Sequence, residues 1–320
     1  MTNNIIISFT IVLGVLLLCT GLGVVFNRKT SSETGRKLAD LWGARVRVWW
    51  SMAAVFFVAF LTHGIGSIVF FGIISFMLLR ELITVTPTKS EDYRVLLWSF
   101  FMVLPCHYAL IFVNWYGLFV ILIPVYVFLI VPPMIAATGS LSRFFERAAK
   151  IQWALMLCVY CVGYAPALLL LRLEGAPFPN APLLLFLVAV VQMRETTADL
   201  VNALPRTHPT FRGKAMEWEM TWEGALAGTV VAGLAGLLLT PITEFSSLQA
   251  VAMALAISVM CEASNMCLAG LRADWGRHGT VTIECHGAMI ERIMPICFAA
   301  PVFFHLTRFF CLTGVPVGFN

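Results

Sequence analysis

Long uninterrupted runs of apolar residues are the feature of this sequence that most limits how the chain can fold. Ten such runs occur along the 320 residues, and most approach the roughly 20 residues that a helix needs to cross a bilayer. A lipid-exposed strand is excluded, because its backbone groups would have no hydrogen-bond partners in hydrocarbon. The runs are 5–26, 47–62, 64–79, 95–113, 115–138, 151–171, 183–193, 222–240, 247–270 and 295–313.

The composition favours the same class of protein. Hydrophobic residues make up 60% of the chain and charged residues 12%, which is about half the charged fraction of a soluble domain. This excludes a soluble globular enzyme, a disordered protein and a disulfide-framed secreted domain. We therefore predict an all-α, polytopic membrane bundle of about ten transmembrane helices, in which 47–62, 64–79 and 183–193 are short enough to be tilted or broken.

The basic residues predict the orientation of this bundle. Of the 21 Lys and Arg, 19 fall in five segments between the runs, and with ten spans all five segments lie on one side. Because positive residues stay cytoplasmic, both termini should be non-cytoplasmic. The opposite side keeps only Arg172 and Arg308. The five segments are 27–47, 80–94, 139–150, 194–221 and 271–294.

The first run and the charge distribution set two further expectations. Run 5–26 is too long for a signal-peptide core and has no basic residue before it, so we expect a retained span. The net charge of +4 is spread over separate loops rather than one stripe, so nucleic acid is not an expected partner. We divide the chain into a first helix with the start of a basic loop (1–35), an N-terminal helical region (36–193) and a C-terminal region (194–320).

Polar residues concentrate in two segments, 194–221 and 271–294, which mix basic residues with carboxylates. Arg binds phosphate bidentately and carboxylates can hold a divalent cation, so these segments suit phosphorylated lipid head groups. The alternative is a solvated loop that merely obeys the positive-inside rule. Glu262 lies inside an apolar run, where a carboxylate is costly unless it faces a cavity or a partner. Both a functional role and a structural ion pair remain open for it.

Cysteines offer a weaker signal. Most of the nine lie inside apolar runs, where Cys behaves as a small apolar residue. Cys158 and Cys161 have the spacing of a metal or redox pair, but their position in the middle of a run favours packing.

A series of short motifs resembles one family, in order along roughly residues 36–310. The family is the phosphatidate cytidylyltransferases, or CDP-diacylglycerol synthases, and the resemblance is to a divergent member. It implies a membrane enzyme that joins CTP to phosphatidate with the help of Mg²⁺ and releases pyrophosphate. The motifs are Arg80-Glu81-Leu82, Thr86-Pro87-Thr88, Trp115-Tyr116-Gly117, Lys150-Ile151-Gln152-Trp153, Thr221-Trp222-Glu223-Gly224, Leu271-Arg272, Arg277-His278, the stretch from His286 to Arg292, and the stretch from Phe298 to His305.

The resemblance also implies roles for single residues. A scaffold role at a helix start falls on Thr221, Trp222, Glu223 and Gly224. The family's catalytic acidic positions fall on Glu195, Ser264, His278 and Glu291. Binding of a phosphate or a lipid head group falls on Arg272, Arg277, His286 and Arg292.

This sequence departs from the family at the positions that carry the chemistry. Ser264 and His278 replace carboxylates, and Glu217-Trp218-Glu219-Met220 replaces the family's Ser-Pro-x-Lys. Since Mg²⁺ is typically held by one or two carboxylates plus substrate phosphates, most of the implied metal site is lost. Glu262 and Glu291 are the candidate substitutes, but Glu262 lies two residues from position 264, and such neighbours point about 200° apart on a helix.

Three functions follow as alternatives. In the first alternative, the chain is a degenerate homologue that binds phospholipid or serves as an accessory or structural subunit, with other membrane subunits or a second copy as partner. Alternatively it is an active phosphatidate cytidylyltransferase with an altered Mg²⁺ site. A transporter is disfavoured because inverted repeats are not seen. The expected location is a bacterial inner membrane or an organellar inner membrane.

A zinc site is a further alternative for the segment 271–294. Its candidate ligands match no strong zinc motif, so we favour a loop of polar residues. Those candidates are His278, Glu284, Cys285, His286 and Glu291.

Overall fold

The computed structural model is all helical over the part of the chain that it describes, with no β-strand in those ranges. The described residues are 13–14, 16–25, 28, 32–61, 65–86, 88–139, 141–171, 180–204, 221–243, 245–277 and 289–311. The prediction of an all-α membrane bundle is therefore confirmed.

Each of the ten predicted apolar runs overlaps a described helix or a pair of consecutive helices. The helices are α1 (Leu16–Val25), α2 (Glu33–Leu61), α3 (Ile65–Val85), α4 (Tyr93–Trp98), α5 (Leu104–Phe112), α6 (Tyr116–Ile121), α7 (Phe128–Ala136), α8 (Phe144–Leu155), α9 (Val162–Leu170), α10 (Ala181–Asn202), α11 (Trp222–Leu238), α12 (Ser247–Arg277) and α13 (Met289–Cys311).

Six described helical stretches are long and apolar enough to cross a membrane. They confirm that the protein is polytopic, whereas the full number of ten crossings stays a prediction. The six are Ile65–Val85, Ser90–Phe112, Tyr116–Ala136, Phe144–Leu170, Ser247–Trp275 and Met289–Cys311.

The helices around the polar segments are longer than the apolar runs predicted. α10 continues nine residues past the end of run 183–193, and α12 reaches Arg277. Part of each segment that the sequence presents as a loop is therefore helical, because a helix can extend beyond its apolar stretch wherever tertiary packing stabilises it. Arg194 and Glu195 lie in this helical extension rather than in a loop.

Three of the six spans contain a wide π turn. These turns are Ser99–Val103, Leu122–Val127 and Met156–Cys161, which join α4 to α5, α6 to α7 and α8 to α9. A proline lies in or within two residues of the first two turns, namely Pro105 and Pro124. Proline lacks an N–H group and crowds the carbonyl four residues earlier, and a local π turn re-satisfies freed backbone groups within a membrane helix.

The chain groups into two compact units, one comprising residues 1–61 with 181–262 and the other residues 62–180 with 263–320. In the first unit, α11 packs closely against α10 and α12 through glycines. A Cβ built on Gly228 would lie 3.0 Å from the carbonyl oxygen of Arg194, and one on Gly236 would lie 2.7 Å from the Cβ of Ala254. Small residues at such contacts let membrane helices approach closely.

In the second unit, a buried ion pair joins the start of α4 to α8. The Nε atom of Arg147 lies 3.0 Å from both carboxylate oxygens of Asp92, and both side chains are buried. The bidentate geometry satisfies a planar guanidinium well. The two residues belong to two of the predicted basic segments, 80–94 and 139–150. Each charge would be costly to bury alone, and the pair offsets that cost.

Candidate functional site

The acidic position at 195 lies within a network of charges in the first unit. Arg194 is only 1% exposed, and its Nη1 donates to Oε1 of Glu195 at 2.6 Å. Its Nη2 forms an ion pair with Glu262 on α12. One guanidinium therefore pairs with two carboxylates. Glu195 is its neighbour in sequence, and Glu262 lies 68 residues further along the chain.

α2 adds a second cation to this network. Arg45 forms an ion pair with Asp199, which follows Glu195 by one helical turn on α10. Two arginines and three carboxylates thus lie together at the end of α10, and each carboxylate has an arginine partner. The sequence left both a functional role and a structural ion pair open for the intramembrane carboxylate Glu262. Its contact with Arg194 provides the partner that a structural ion pair requires.

α11 makes room for Arg194. The chain has glycine at 228, and a Cβ there would lie 3.4 Å from Cγ of Arg194. The motif at the start of α11 is also held against α10. The Thr221 hydroxyl accepts a hydrogen bond from the backbone N–H of Gly224 at 3.0 Å and donates one to Oδ1 of Asn202, the last residue of α10, at 2.7 Å. The motif therefore caps α11 and fixes it against the end of α10.

Position 264, where the family's carboxylate would fall, carries a buried serine. Ser264 is 0% exposed, and its Oγ has no hydrogen-bond partner among the described residues. Glu262 lies two residues earlier on α12 and already pairs with Arg194. The described structure therefore gives α12 no carboxylate at the position where the resemblance requires one.

The second unit holds the other candidate carboxylate. Glu291, in the first turn of α13, accepts a hydrogen bond from Nε of Arg272 at 2.9 Å and forms an ion pair with the same guanidinium. The Glu81 carboxylate lies within hydrogen-bonding reach of the backbone N–H groups of Met289 and Ile290. The start of α13, which could otherwise bind an anion, is thus occupied by acidic side chains of the protein itself.

Several predicted residues lie outside the described part of the chain. These are His278, Glu284, Cys285 and His286, together with the side chain of Arg277. Arg292 is described and exposed, and no ion pair is formed by it within the described residues. The zinc alternative and the whole predicted phosphate-binding set, Arg272, Arg277, His286 and Arg292, therefore remain predictions.

The described carboxylates would bind a Mg²⁺ ion only in competition with arginines. Magnesium takes carboxylate oxygens as ligands, and Glu195, Glu262 and Glu291 are each paired with an arginine. Within the described ranges, no group of three or more His, Cys, Asp or Glu side chains could hold a metal. Cys158 and Cys161 are free thiols, the first buried and the second half-buried.

The sequence did not single out two residues that take part in these contacts. Arg194 follows run 183–193 directly and looks like the first basic residue of a loop, and Glu81 belongs to a motif whose role the sequence did not reveal. Only the apolar character of the residues before Arg194 could have signalled its burial. The spacing alone could not have shown that it lies next to Glu262.

The sequence comparisons agree with this architecture. A family model described as the cytidylyltransferase family matches residues 43–310, which include the charge network and the Arg272–Glu291 pair. The chain is also 28% identical over 279 residues to the uncharacterized protein YnbB of Escherichia coli (strain K12), a match that covers 83% of this chain and 87% of that protein. The family resemblance predicted from the motifs is confirmed, and this chain belongs to the cytidylyltransferase family.

Proposed function

We propose that this integral membrane member of the cytidylyltransferase family has lost the transfer of a cytidylyl group from CTP to phosphatidate. It acts instead as a lipid-binding or accessory subunit of a membrane assembly. The observation that carries the proposal is the neutralisation of the three candidate metal carboxylates: Glu195 and Glu262 by Arg194, and Glu291 by Arg272.

The chemistry of the transfer explains why this observation matters. A lipid phosphate must attack the α-phosphorus of CTP, and metal ions neutralise both polyanions and hold them in line. A guanidinium paired with a carboxylate offsets the negative charge that the carboxylate would offer to a metal ion. The arginine pairs of Glu195, Glu262 and Glu291 should therefore weaken the binding of a divalent cation there.

The serine at position 264 points the same way. It contributes neither charge nor a metal-binding carboxylate, and it is fully buried. Each tenfold in rate corresponds to about 1.4 kcal/mol of barrier, so the loss of a clamp on both reacting phosphates should cost many orders of magnitude. Ser264→Asp alone is not expected to restore transfer, since Met220 also stands where the family has Lys.

The test is an assay with the purified full-length protein. Labelled CTP and phosphatidate are incubated with it in mixed micelles that contain Mg²⁺ or Mn²⁺, and an active synthase of the family is the positive control. We expect no label in the lipid fraction above that of heat-denatured protein. Turnover of about one per second that is abolished by Glu262→Gln or Glu291→Gln would overturn the proposal.

The lipid-binding part of the proposal rests on the cations of the same region. Arg292 is exposed on the first turns of α13, and Arg binds phosphate without a metal. Arg292→Glu should lower the amount of anionic phospholipid that co-purifies, whereas Arg94→Glu, which reverses an exposed charge on α4, should not. Unchanged lipid content in Arg292→Glu, Arg272→Glu and Arg277→Glu would contradict this part.

An active phosphatidate cytidylyltransferase remains the second candidate. The family match over residues 43–310 favours it, because it spans almost all of the described helices. In that case the product would be CDP-diacylglycerol for phospholipid synthesis, and the CTP assay distinguishes the two candidates directly. The membrane concerned, a bacterial inner membrane or an organellar inner membrane, stays a prediction.

A further inference from the structure

A second polar cluster lies in the second unit at the far end of α13. It is built from Tyr116 at the start of α6, Tyr160 and Tyr164 on the span Phe144–Leu170, and His305 and Arg308 on α13. Arg308 follows Glu291 by 17 residues, which places the two roughly 25 Å apart along the helix at 1.5 Å per residue. The cluster is therefore distinct from the Arg272–Glu291 pair of the same unit.

Hydrogen bonds connect three members of this cluster. The hydroxyl oxygens of Tyr160 and Tyr164 are 2.8 Å apart, and the Tyr164 hydroxyl lies 3.2 Å from Nε2 of His305. Tyr164 is buried with 0% exposure, whereas His305 is exposed. The chain of bonds thus leads from the interior of the span to an accessible imidazole.

The number of polar hydrogens on Tyr160, Tyr164 and His305 leaves one hydrogen-bond donor unused. Each phenol and a neutral imidazole carry one polar hydrogen, so the three groups supply three hydrogens for two hydrogen bonds. Whichever tautomer His305 adopts, one donor remains at one end of the chain. An acceptor from outside the protein is the natural partner for it.

Arg308 supplies the charge. Its Cζ lies 3.9 Å from the centroid of the Tyr116 ring, and that ring stacks against Phe304 with centroids 6.1 Å apart. The ring positions the guanidinium but provides no anionic oxygen. Within the described residues no carboxylate pairs with Arg308, which contrasts with the ion pairs of Arg45, Arg147, Arg194 and Arg272.

From this arrangement we propose that Arg308, His305 and the Tyr160–Tyr164 pair bind the phosphate of an anionic phospholipid. The groups offer donors and positive charge but no carboxylate, and a phosphate oxygen accepts such donors well. The cluster lies near one end of a span, where Arg side chains reach the membrane interface and tyrosines are enriched. A lipid head group reaches this depth, whereas free phosphate would have to leave water.

The proposal does not depend on whether the family's transfer reaction is retained. It concerns the opposite end of α13 from Glu291, and an active enzyme could contain the same site. Failure of the CTP assay and failure of the binding test below are therefore separate results.

Binding is measured with purified full-length protein in detergent by native mass spectrometry. The probes are short-chain phosphatidylglycerol and, in a parallel titration, inorganic phosphate. We expect phosphatidylglycerol to bind, and Arg308→Gln to weaken that binding about tenfold, as expected for the loss of one charge-assisted hydrogen-bonding group. Arg308→Lys, which keeps the charge but not the planar fork, should lose less.

Matched variants separate this site from others. Arg94→Gln removes an exposed cation elsewhere in the same unit and should bind as the wild type does, and Arg292→Glu should leave the Arg308-dependent binding in place. His305→Gln, which keeps a polar group, should bind better than His305→Leu. Helicity measured by circular dichroism checks that each variant is folded.

Two results would overturn the proposal. If Arg308→Gln binds phosphatidylglycerol as tightly as the wild type and Arg94→Gln do, the cluster is an ordinary interfacial group of tyrosines and arginine. If inorganic phosphate binds as tightly as the lipid and is equally sensitive to Arg308→Gln, the ligand is a soluble phosphate and not a lipid head group.

Discussion

Nε of Arg272 on α12 lies 2.9 Å from Oε1 of Glu291 on α13. Both side chains are largely buried, with 21% and 15% of their surfaces exposed. The pair joins the end of one helix to the start of the next around the segment 278–288. It also places two residues of the family motifs in direct contact with each other.

The Arg272–Glu291 pair should show energetic coupling. Arg272→Gln and Glu291→Gln should each destabilise the protein, and the double variant should lose less than the sum of the two. We expect a coupling energy of about 0.5–3 kcal/mol, which is typical of residues in direct contact. Denaturant titration in mixed micelles measures the free energy of unfolding of the four proteins. Additive losses would show that the pair contributes no interaction of its own.

Arg194→Gln should be among the most destabilising substitutions in the first unit. It leaves Glu195 and Glu262 without their shared cation in a buried place, and removal of one partner from a buried pair costs about 3–5 kcal/mol. Arg94→Gln, at an exposed position, should change the free energy of unfolding by less than about 0.5 kcal/mol. Equal stability of the two variants would contradict the central place of Arg194.

Glycines of α11 offer a matched pair for testing helix packing. A Cβ at position 236 would lie 2.7 Å from the Cβ of Ala254, whereas a Cβ at position 233 would meet nothing within 4 Å. Gly236→Ala should therefore destabilise the protein by about 1–3 kcal/mol through overpacking. Gly233→Ala should be neutral or slightly stabilising, because alanine is the better helix former. The measurement is the free energy of unfolding of each variant, and equal values for Gly236→Ala and Gly233→Ala would contradict the close packing at position 236.

The charge asymmetry of the chain predicts its topology. Segments 27–47, 80–94, 139–150, 194–221 and 271–294 should all lie on the cytoplasmic side. Single cysteines placed in each segment of a cysteine-free variant should react with a membrane-impermeant reagent only from that side. Labelling of 139–150 from the side opposite to 271–294 would refute the ten-span arrangement.

Arg94 recurs as a control in these experiments for a structural reason. It lies exposed on α4 in the second unit and is not a member of the ion pairs formed by Arg45, Arg147, Arg194 and Arg272. Its replacement therefore reports the effect of removing one positive charge from the protein without removing a contact. A change in Arg94→Gln as large as in the test variants would show that net charge, and not a local interaction, controls the result.

The positions of the helices could be read from the sequence, because helix formation in a membrane follows from local chemistry. An apolar run has to satisfy its own backbone groups, and a helix does so within the run. Runs 64–79 and 295–313, for example, correspond to α3 and α13. The family could also be predicted, since its motifs are short, local and in order. The helical extension of α10 through Arg194 could not, because it depends on packing against α11 and α2.

The partners of the charges were decided only by the tertiary structure. Glu262 stood out in the sequence as an intramembrane carboxylate, yet nothing in its neighbourhood indicated Arg194, which is 68 residues away. Likewise, neither Arg308 nor the tyrosines of the span Phe144–Leu170 carry a motif that predicts their proximity. Apolarity determines where a chain crosses a membrane, but the helix faces that meet depend on close packing of small residues such as Gly228, and that packing selects which charges pair.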